Sequence, residues 1–181
     1  EQGNVRFVLT SAYGPDHEIA RHCALRGDGV KVIALTVNDC ESAIRETKAR
    51  GATVVQKATA QEDKDGVLVS GIIKYAGDTV FKFVERKNYR GAFAPGYRPI
   101  QAHGSQSVGL AAIDHVVTNV HLGEMNFWAR WYEQVLGFTN LCGFTDKDIS
   151  TEYSALMSKV MENGTGKCKF PINEPAEGKK K

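Results

Sequence analysis

The sequence predicts an α+β fold built from repeated β-α-β-β-β modules, and two observations support this. The patterns in residues 28–90 follow the order strand, helix, strand, strand, strand, and residues 111–181 repeat that order. Superposing Val30 on Ile113 brings Gly51 close to Gly137 after a small insertion, which defines an internal repeat of about 80 residues. Each module exposes an apolar sheet face, so pairs of modules are expected to close into a half-barrel or barrel around a cavity.

Local signals place each element of the first module. The run GDG at 27–29 is a turn, and Gly51 is suited to end a helix that Asn38 or Asp39 can cap. The pair GD at 77–78 forms a tight hairpin turn. The predicted elements are a strand over 30–37, a helix over 40–50, a strand over 52–56, a polar loop over 61–66, and strands over 67–75 and 79–85.

The second module begins with an apolar run at 113–120, which predicts a strand. A helix is predicted over 124–136 because large apolar residues recur there at steps of three and four. These residues are Phe127, Trp128, Trp131, Tyr132, Val135 and Leu136. Gly137 is expected to end the helix, and further strands are predicted over 138–144, 152–159 and 167–173.

The remaining segments are assigned by elimination. Residues 1–27, with a predicted strand over 5–10, are expected to be the end of a preceding module. Residues 91–110 are rich in Gly, Pro and Ser and are expected to form a linker. The first residue is not Met and the last three are lysines. We therefore expect a segment of a longer polypeptide, with a fold that is incomplete at both ends.

Composition narrows the classes of function. The chain has 181 residues, of which 42% are hydrophobic and 24% charged, and its net charge of +2 is too small to predict nucleic-acid binding. It has no apolar run of about 18 residues, so no membrane span is predicted. The four cysteines form no C-x-x-C pair and are typical of reduced thiols, which predicts a cytoplasmic protein. They are Cys23, Cys40, Cys142 and Cys168.

His115 is the leading candidate for a functional residue. It lies in the strand predicted over 113–120 and shares a face with Val117 and Asn119. An imidazole on a largely apolar face needs a hydrogen-bond acceptor or a metal ion, so a satisfied core histidine is the alternative. Val32 takes the place of His115 in the first module, which therefore carries no ligand there. The other four histidines, at 17, 22, 103 and 121, are interpreted as solvated.

Two later stretches strengthen the functional interpretation. In residues 150–160 a strand would place Ser158 on one face with Val160. In residues 168–175, Pro171 and Asn173 share a face, and the missing N–H of Pro171 indicates an edge or irregular strand. The pattern alone fits an ordinary surface strand equally well.

These stretches also carry a family resemblance. The segments IDHVVTNV, STEYSALMSKV and KFPINEPA, with their spacing, resemble the 4-hydroxyphenylpyruvate dioxygenase family of the vicinal-oxygen-chelate superfamily, whose chains are about twice this length. The resemblance implies that His115 is the first iron ligand of a site with two histidines and one carboxylate. It implies that Ser158 and Asn173 orient the substrate, and that Val117 and Pro171 form apolar lining. No catalytic residue beyond the metal site is assigned.

The resemblance also implies an activity. An Fe(II) enzyme of this family converts 4-hydroxyphenylpyruvate and O2 to homogentisate and CO2 in tyrosine and phenylalanine catabolism. We also expect the full-length protein to form a homo-oligomer. The second histidine and the carboxylate of the family's iron site match no residue of this chain. Glu152 and Glu174 lie near the pocket strands, but neither matches a family ligand. We therefore expect that this segment alone does not hold Fe(II) tightly.

Two alternatives remain open at this point. Hydroxymandelate synthase shares the fold, the substrate and the iron site, and only Pro171 favours the dioxygenase over it. The second alternative is a non-catalytic small-molecule binding module of the same superfamily.

Overall fold

The computed structural model describes residues 1–100, 106–144 and 156–175, and the chain divides into two compact units, Glu1–Leu110 and Ala111–Lys181. The first unit contains α1 (Glu18–Arg26), β1 (Val32–Thr36), α2 (Cys40–Ala49), β2 (Val54–Asp63), β3 (Gly66–Lys74) and β4 (Val80–Glu85). The second contains β5 (Thr118–Asn119), α3 (Met125–Trp131), a π-helical turn (Tyr132–Leu136), β6 (Thr139–Phe144), β7 (Leu156–Glu162) and β8 (Lys169–Pro175).

Each unit is built around one four-stranded sheet, and the two sheets have the same topology. The strand order is β1-β4-β3-β2 in the first unit and β5-β8-β7-β6 in the second. In both sheets the first strand pairs in parallel with the last, and the other pairs are antiparallel. The predicted fold class, with its repeated β-α-β-β-β order, is therefore confirmed.

The pairing register makes individual positions of the two modules equivalent. Val32 pairs with Val80 at the start of the β1–β4 ladder, and His115 pairs with Lys169 through an isolated bridge at the start of β8. The same spacing continues along both parallel pairs. Val32 therefore lies at the position of His115, as the superposition of the sequences predicted.

One helix covers one face of each sheet and forms the core with it. In the first unit the helix is packed so closely that a Cβ at Gly71 would lie 2.6 Å from Ile44. In the second unit Tyr132 is fully buried and stacks on Phe170, with ring centroids 5.4 Å apart. Large apolar side chains on alternate strand positions provide these contacts, so the 3.6- and 2-residue periods of the sequence determine the layers.

The second module has two extra residues before α3, where Met125 follows Val120 by five positions and Cys40 follows Val37 by three, and one extra residue at the end of α3. The Ala52 N–H donates to the carbonyl of Thr47 at 2.9 Å, and the equivalent bond joins Phe138 N–H to the carbonyl of Tyr132 at 3.1 Å. The second of these loops is one residue longer. A π-helical turn accommodates the extra residue, and Gly137 ends it in the left-handed region with φ 68°.

Several predicted boundaries were wrong. Residues 5–10 form no strand, because no strand among the described residues pairs with them, and Leu9 is 97% exposed. The helix Glu18–Arg26 was not predicted, although His17 accepts a hydrogen bond from Ile19 N–H at its start. β2 extends through the first half of the predicted loop over 61–66, and β3 begins at its last residue, Gly66. The assignment of residues 1–27 to a preceding module stays a prediction.

The second module also differs from the expected boundaries. β5 is a two-residue ladder rather than the eight-residue strand predicted over 113–120. Residues 152–155 of the strand predicted over 152–159 lie outside the described residues, and the strand predicted over 167–173 lies at Lys169–Pro175. Within the described ranges, no helix has the length and apolar character needed to cross a membrane.

Candidate metal and substrate site

The two faces of β8 have different neighbours. Phe170, Ile172 and Glu174 are buried on the face that packs against the helix. Pro171 and Asn173 alternate with them and are partly exposed. The residues that the sequence analysis assigned to the substrate therefore lie on the face opposite the helix.

A row of three polar residues crosses this open face at the end of β8. Ser158 of β7 pairs with Asn173 in the antiparallel ladder, and Asn119 of β5 pairs with Asn173 in the parallel ladder. Paired residues of neighbouring strands project from the same face and lie about 5 Å apart. Ser158 is only 5% exposed, whereas Asn119 is exposed. Together the three side chains can form hydrogen bonds to one polar group of a ligand.

The apolar pair Val117 and Pro171 lies next to this row. The constant register from His115 to Asn119 places Val117 beside Pro171, as the shared face predicted. Of the two alternatives predicted for Pro171, the edge strand is wrong, because β8 lies between β5 and β7, whereas the irregular strand agrees with the gap in the β5–β8 pairing. The carbonyls of Lys169 and Asn173 accept bonds from the β5 side, so the missing N–H of Pro171 also faces β5. The ladder is interrupted at that point, where Pro171 cannot donate.

His115 lies at the opposite end of β8 from the polar row. Its imidazole is 49% exposed, and Nδ1 lies 2.7 Å from Oδ2 of Asp114. The hydrogen bond with His115 and the charge of Lys169, 3.6 Å away, lower the pKa of the Asp114 carboxyl. An ionised carboxylate can only accept, so this hydrogen bond requires a proton on Nδ1, and in a neutral ring the lone pair would then be on Nε2. A carboxylate on one ring nitrogen is the usual support for a histidine that binds a metal through the other.

The spacing along β8 sets the dimension of the site. His115 is beside Lys169, and the polar row is four residues further on at Asn173, which corresponds to about 13 Å at a strand rise of 3.3 Å per residue. The open face therefore has the imidazole of His115 at one end, an apolar pair in the middle and hydrogen-bonding groups at the other end.

Among the described residues, His115 is the one predicted metal ligand. Within residues 1–100, 106–144 and 156–175, no group of three His, Cys, Asp or Glu residues lies close enough together to hold an ion. Glu174 is turned away, because its Oε2 accepts a hydrogen bond from Met125 N–H at 2.8 Å on the helix side. Glu152 lies outside the described residues. The exposed His115 ring fits the role of one iron ligand, bound through Nε2, and other donors would be needed to complete the site.

The other histidines that the structure describes lie in local settings of their own. His17 caps α1, and His22 lies 3.6 Å from Asp78. His121 is exposed in the turn before α3, and His103 lies outside the described residues. The interpretation of His121 as solvated agrees with its exposure, whereas His17 has a local structural role.

Sequence reasoning missed two residues of the site. Asn119 could have been assigned, because strand alternation already placed it on the face of His115. Asp114 gave no usable signal, because neighbours on a regular strand point to opposite faces. The contact forms because the chain before Thr118 makes only one isolated bridge to β8.

Comparisons with known proteins give the family context. No family model matches the chain. The chain is 41% identical to 4-hydroxyphenylpyruvate dioxygenase of Caenorhabditis elegans over 186 residues, which is 99% of this chain and 47% of that relative. The corresponding protein of Danio rerio is 39% identical over 187 residues, with the same coverage. The chain thus spans about half the length of the curated relatives it matches.

A solved structure shows the same fold. A triple mutant of 4-hydroxymandelate synthase from Streptomyces coelicolor superposes with a TM-score of 0.79 over 99% of this chain and 50% of that chain, at 20% identity. The repeated modules thus have the vicinal-oxygen-chelate fold. Among proteins with this fold the chain is a relative of the 4-hydroxyphenylpyruvate dioxygenases, and the resemblance found in the sequence is confirmed.

Proposed function

We propose that the protein carrying this chain is an Fe(II)-dependent dioxygenase that converts 4-hydroxyphenylpyruvate and O2 to homogentisate and CO2 in tyrosine and phenylalanine catabolism. The observation that supports this most strongly is the similarity to curated dioxygenases of that name, at 36–41% identity across nearly the whole chain. The open face of the second module supplies a chemical rationale.

His115 would bind Fe(II) through Nε2, with Asp114 holding the ring by its other nitrogen. Two further protein ligands would come from outside the described residues. When bound, the iron would bind the keto acid and activate dioxygen. The chain's own contribution is to fix one ligand in the correct tautomer and orientation.

The other end of the face would bind the aromatic end of the substrate. A phenol hydroxyl both donates and accepts hydrogen bonds, which suits Ser158 and Asn173. Val117 and Pro171 would cover the ring edge and exclude water from the reacting end. The elongated arrangement matches a substrate with a chelating keto acid at one end and a phenol at the other.

Two further properties belong to the same proposal. We infer a cytoplasmic enzyme, since all four cysteines are free thiols. We also infer a homo-oligomer of the full-length protein, which size measurement by light scattering would test.

The deciding experiment is oxygen uptake and product analysis with the full-length, iron-loaded protein. We expect uptake of O2 that depends on 4-hydroxyphenylpyruvate, with homogentisate as the product. Formation of 4-hydroxymandelate would instead identify a hydroxymandelate synthase. A folded, iron-loaded protein that binds the substrate without consuming O2 would identify a binding module.

A further inference from the structure

Two glutamates occupy equivalent positions at the ends of β4 and β8 and make the same contact. Oε2 of Glu85 accepts a hydrogen bond from Cys40 N–H at 3.0 Å, and Oε2 of Glu174 accepts one from Met125 N–H at 2.8 Å. Cys40 and Met125 are the first residues of α2 and α3. In each module the last strand thus binds the start of the module's own helix through a carboxylate, which the helix dipole favours.

The two contacts differ in how much else supports them. Asp39 also caps α2, by accepting from Ser42 N–H at 2.9 Å, and Glu85 is shared with Lys87 at 2.8 Å. At α3 the N-cap residue, Glu124, makes no side-chain capping bond to the helix. Glu174 is therefore the side chain that satisfies the start of α3, and it is only 6% exposed.

Glu174 is also joined directly to the candidate substrate site. It follows Asn173, whose side chain lies on the opposite face of β8 and whose carbonyl accepts from Val120 N–H at 2.9 Å. The Val120 bond and the Glu174 carboxylate both restrain the backbone that directly follows the Asn173 Cα. A loss of the carboxylate would loosen the strand at the row that contains Asn173 and Ser158.

We propose that Glu174 is a positioning residue for substrate binding, whose bond to the start of α3 holds Asn173 and Ser158 in place on the other face of β8. This rests on the proposed function, because it assigns the substrate to that face. Glu85 makes the same bond in the module that lacks a histidine at the position of His115. Removing Glu85 should therefore cost stability without affecting the substrate.

The test compares Glu174→Ala and Glu174→Gln with Glu85→Ala in the full-length iron-loaded protein. We expect Glu174→Ala to raise the KM for 4-hydroxyphenylpyruvate about 5- to 25-fold, with iron content unchanged, because it weakens two hydrogen bonds that contribute about fivefold each. Glu174→Gln should be milder, because its amide oxygen can still accept from Met125. Glu85→Ala should lower the thermal midpoint and leave KM unchanged. If Glu174→Ala does not fold, Glu174→Gln is compared with Glu85→Ala instead.

Hydrogen exchange supplies a readout independent of turnover. Exchange of the Val120 amide should accelerate in the Glu174 variants, while the equivalent amide of Val37, bonded to Val84, should respond only to Glu85→Ala. Unchanged exchange at Val120, or an unchanged KM in folded Glu174 variants, would overturn the proposal. An equal rise in KM in Glu85→Ala would do the same. A wild-type protein that neither binds nor oxidises 4-hydroxyphenylpyruvate would overturn the proposed function. In that case exchange of the Val120 amide would still test whether the bond from Glu174 to Met125 holds the backbone at Asn173.

Discussion

The two modules share their backbone and helix contacts but differ on the opposite sheet face. Phe81 and Phe170 occupy equivalent core positions, and so do the helix-binding glutamates described above. On the other face, Val32 stands where the second module has His115, and Val84 stands where it has Asn173. The repeat therefore maintains the fold through one set of strand positions and leaves the alternate set free to carry chemistry.

The open faces are also filled differently. In the first module Leu68, Val84 and Tyr89 form a buried cluster with Ala94 packed against it, on the face equivalent to the candidate site. In the second module the positions equivalent to Leu68 and Val84 are Leu156 and Asn173, and both are only partly buried. The first face is filled by its own chain at that point and has no room for a ligand, whereas the second face leaves Asn173 accessible there.

The largest difference between the two modules is expected for substitutions of His115 and of its equivalent, Val32. In the full-length protein, His115→Ala should abolish iron-dependent turnover with little loss of fold, because one of three donors is removed. Val32→Ala, at the equivalent position, should leave turnover unchanged. The measurements are oxygen uptake and iron content per chain. Undiminished turnover in His115→Ala would show that the ligand is misassigned.

The shared core should respond alike in both modules. Phe81→Ala and Phe170→Ala should each reduce the free energy of unfolding of their own unit by about 3–5 kcal/mol, since each ring is almost fully buried. Hydrogen exchange of each sheet in the full-length protein separates the two effects. A cost confined to one module would contradict the equivalence of the two cores.

A smaller effect is expected at the polar row. Ser158→Ala and Asn173→Ala should each weaken substrate use by about fivefold with iron retained, because each removes a hydrogen bond with a net contribution of about 1 kcal/mol. Ser70 pairs with Val84 as Ser158 pairs with Asn173, so Ser70→Ala is the matched control. If Ser70→Ala weakened substrate use as much as Ser158→Ala, Ser158 would have no special role.

The smallest effect concerns acid stability of the first module. The hydrogen bonds from Lys87 and Cys40 N–H hold the pKa of Glu85 below its ordinary value of 4.5. The ionised form is thus favoured in the folded state, so its stabilisation is present above about pH 4.5 and lost as the pH falls through the lowered pKa. Glu85→Gln should reduce the acid-induced loss of protection in α2, measured by hydrogen exchange. An unchanged pH dependence would contradict this.

Much of the site could be predicted because strand alternation is a local property. The shared face of His115 and Val117, and that of Pro171 and Asn173, follow from sequence spacing alone. The interior position of β8 did not follow, because the interruption of the β5 ladder at Pro171 depends on a strand more than fifty residues earlier. The contact of Glu174 could not be predicted for the same reason, since its partner is the backbone N–H of the distant residue Met125.

The repeated element order, the helix limits near Gly51 and Gly137, and the family resemblance could all be predicted from the amino-acid sequence. These features depend on periodicity, turn residues and motifs that are local along the chain. The folded structure was needed to show which strands are neighbours, that Asn119 lies in one row with Ser158 and Asn173, and that Glu174 faces the helix. Such contacts join distant segments, and their hydrogen bonds and packing exist only once the sheet has formed around its helix.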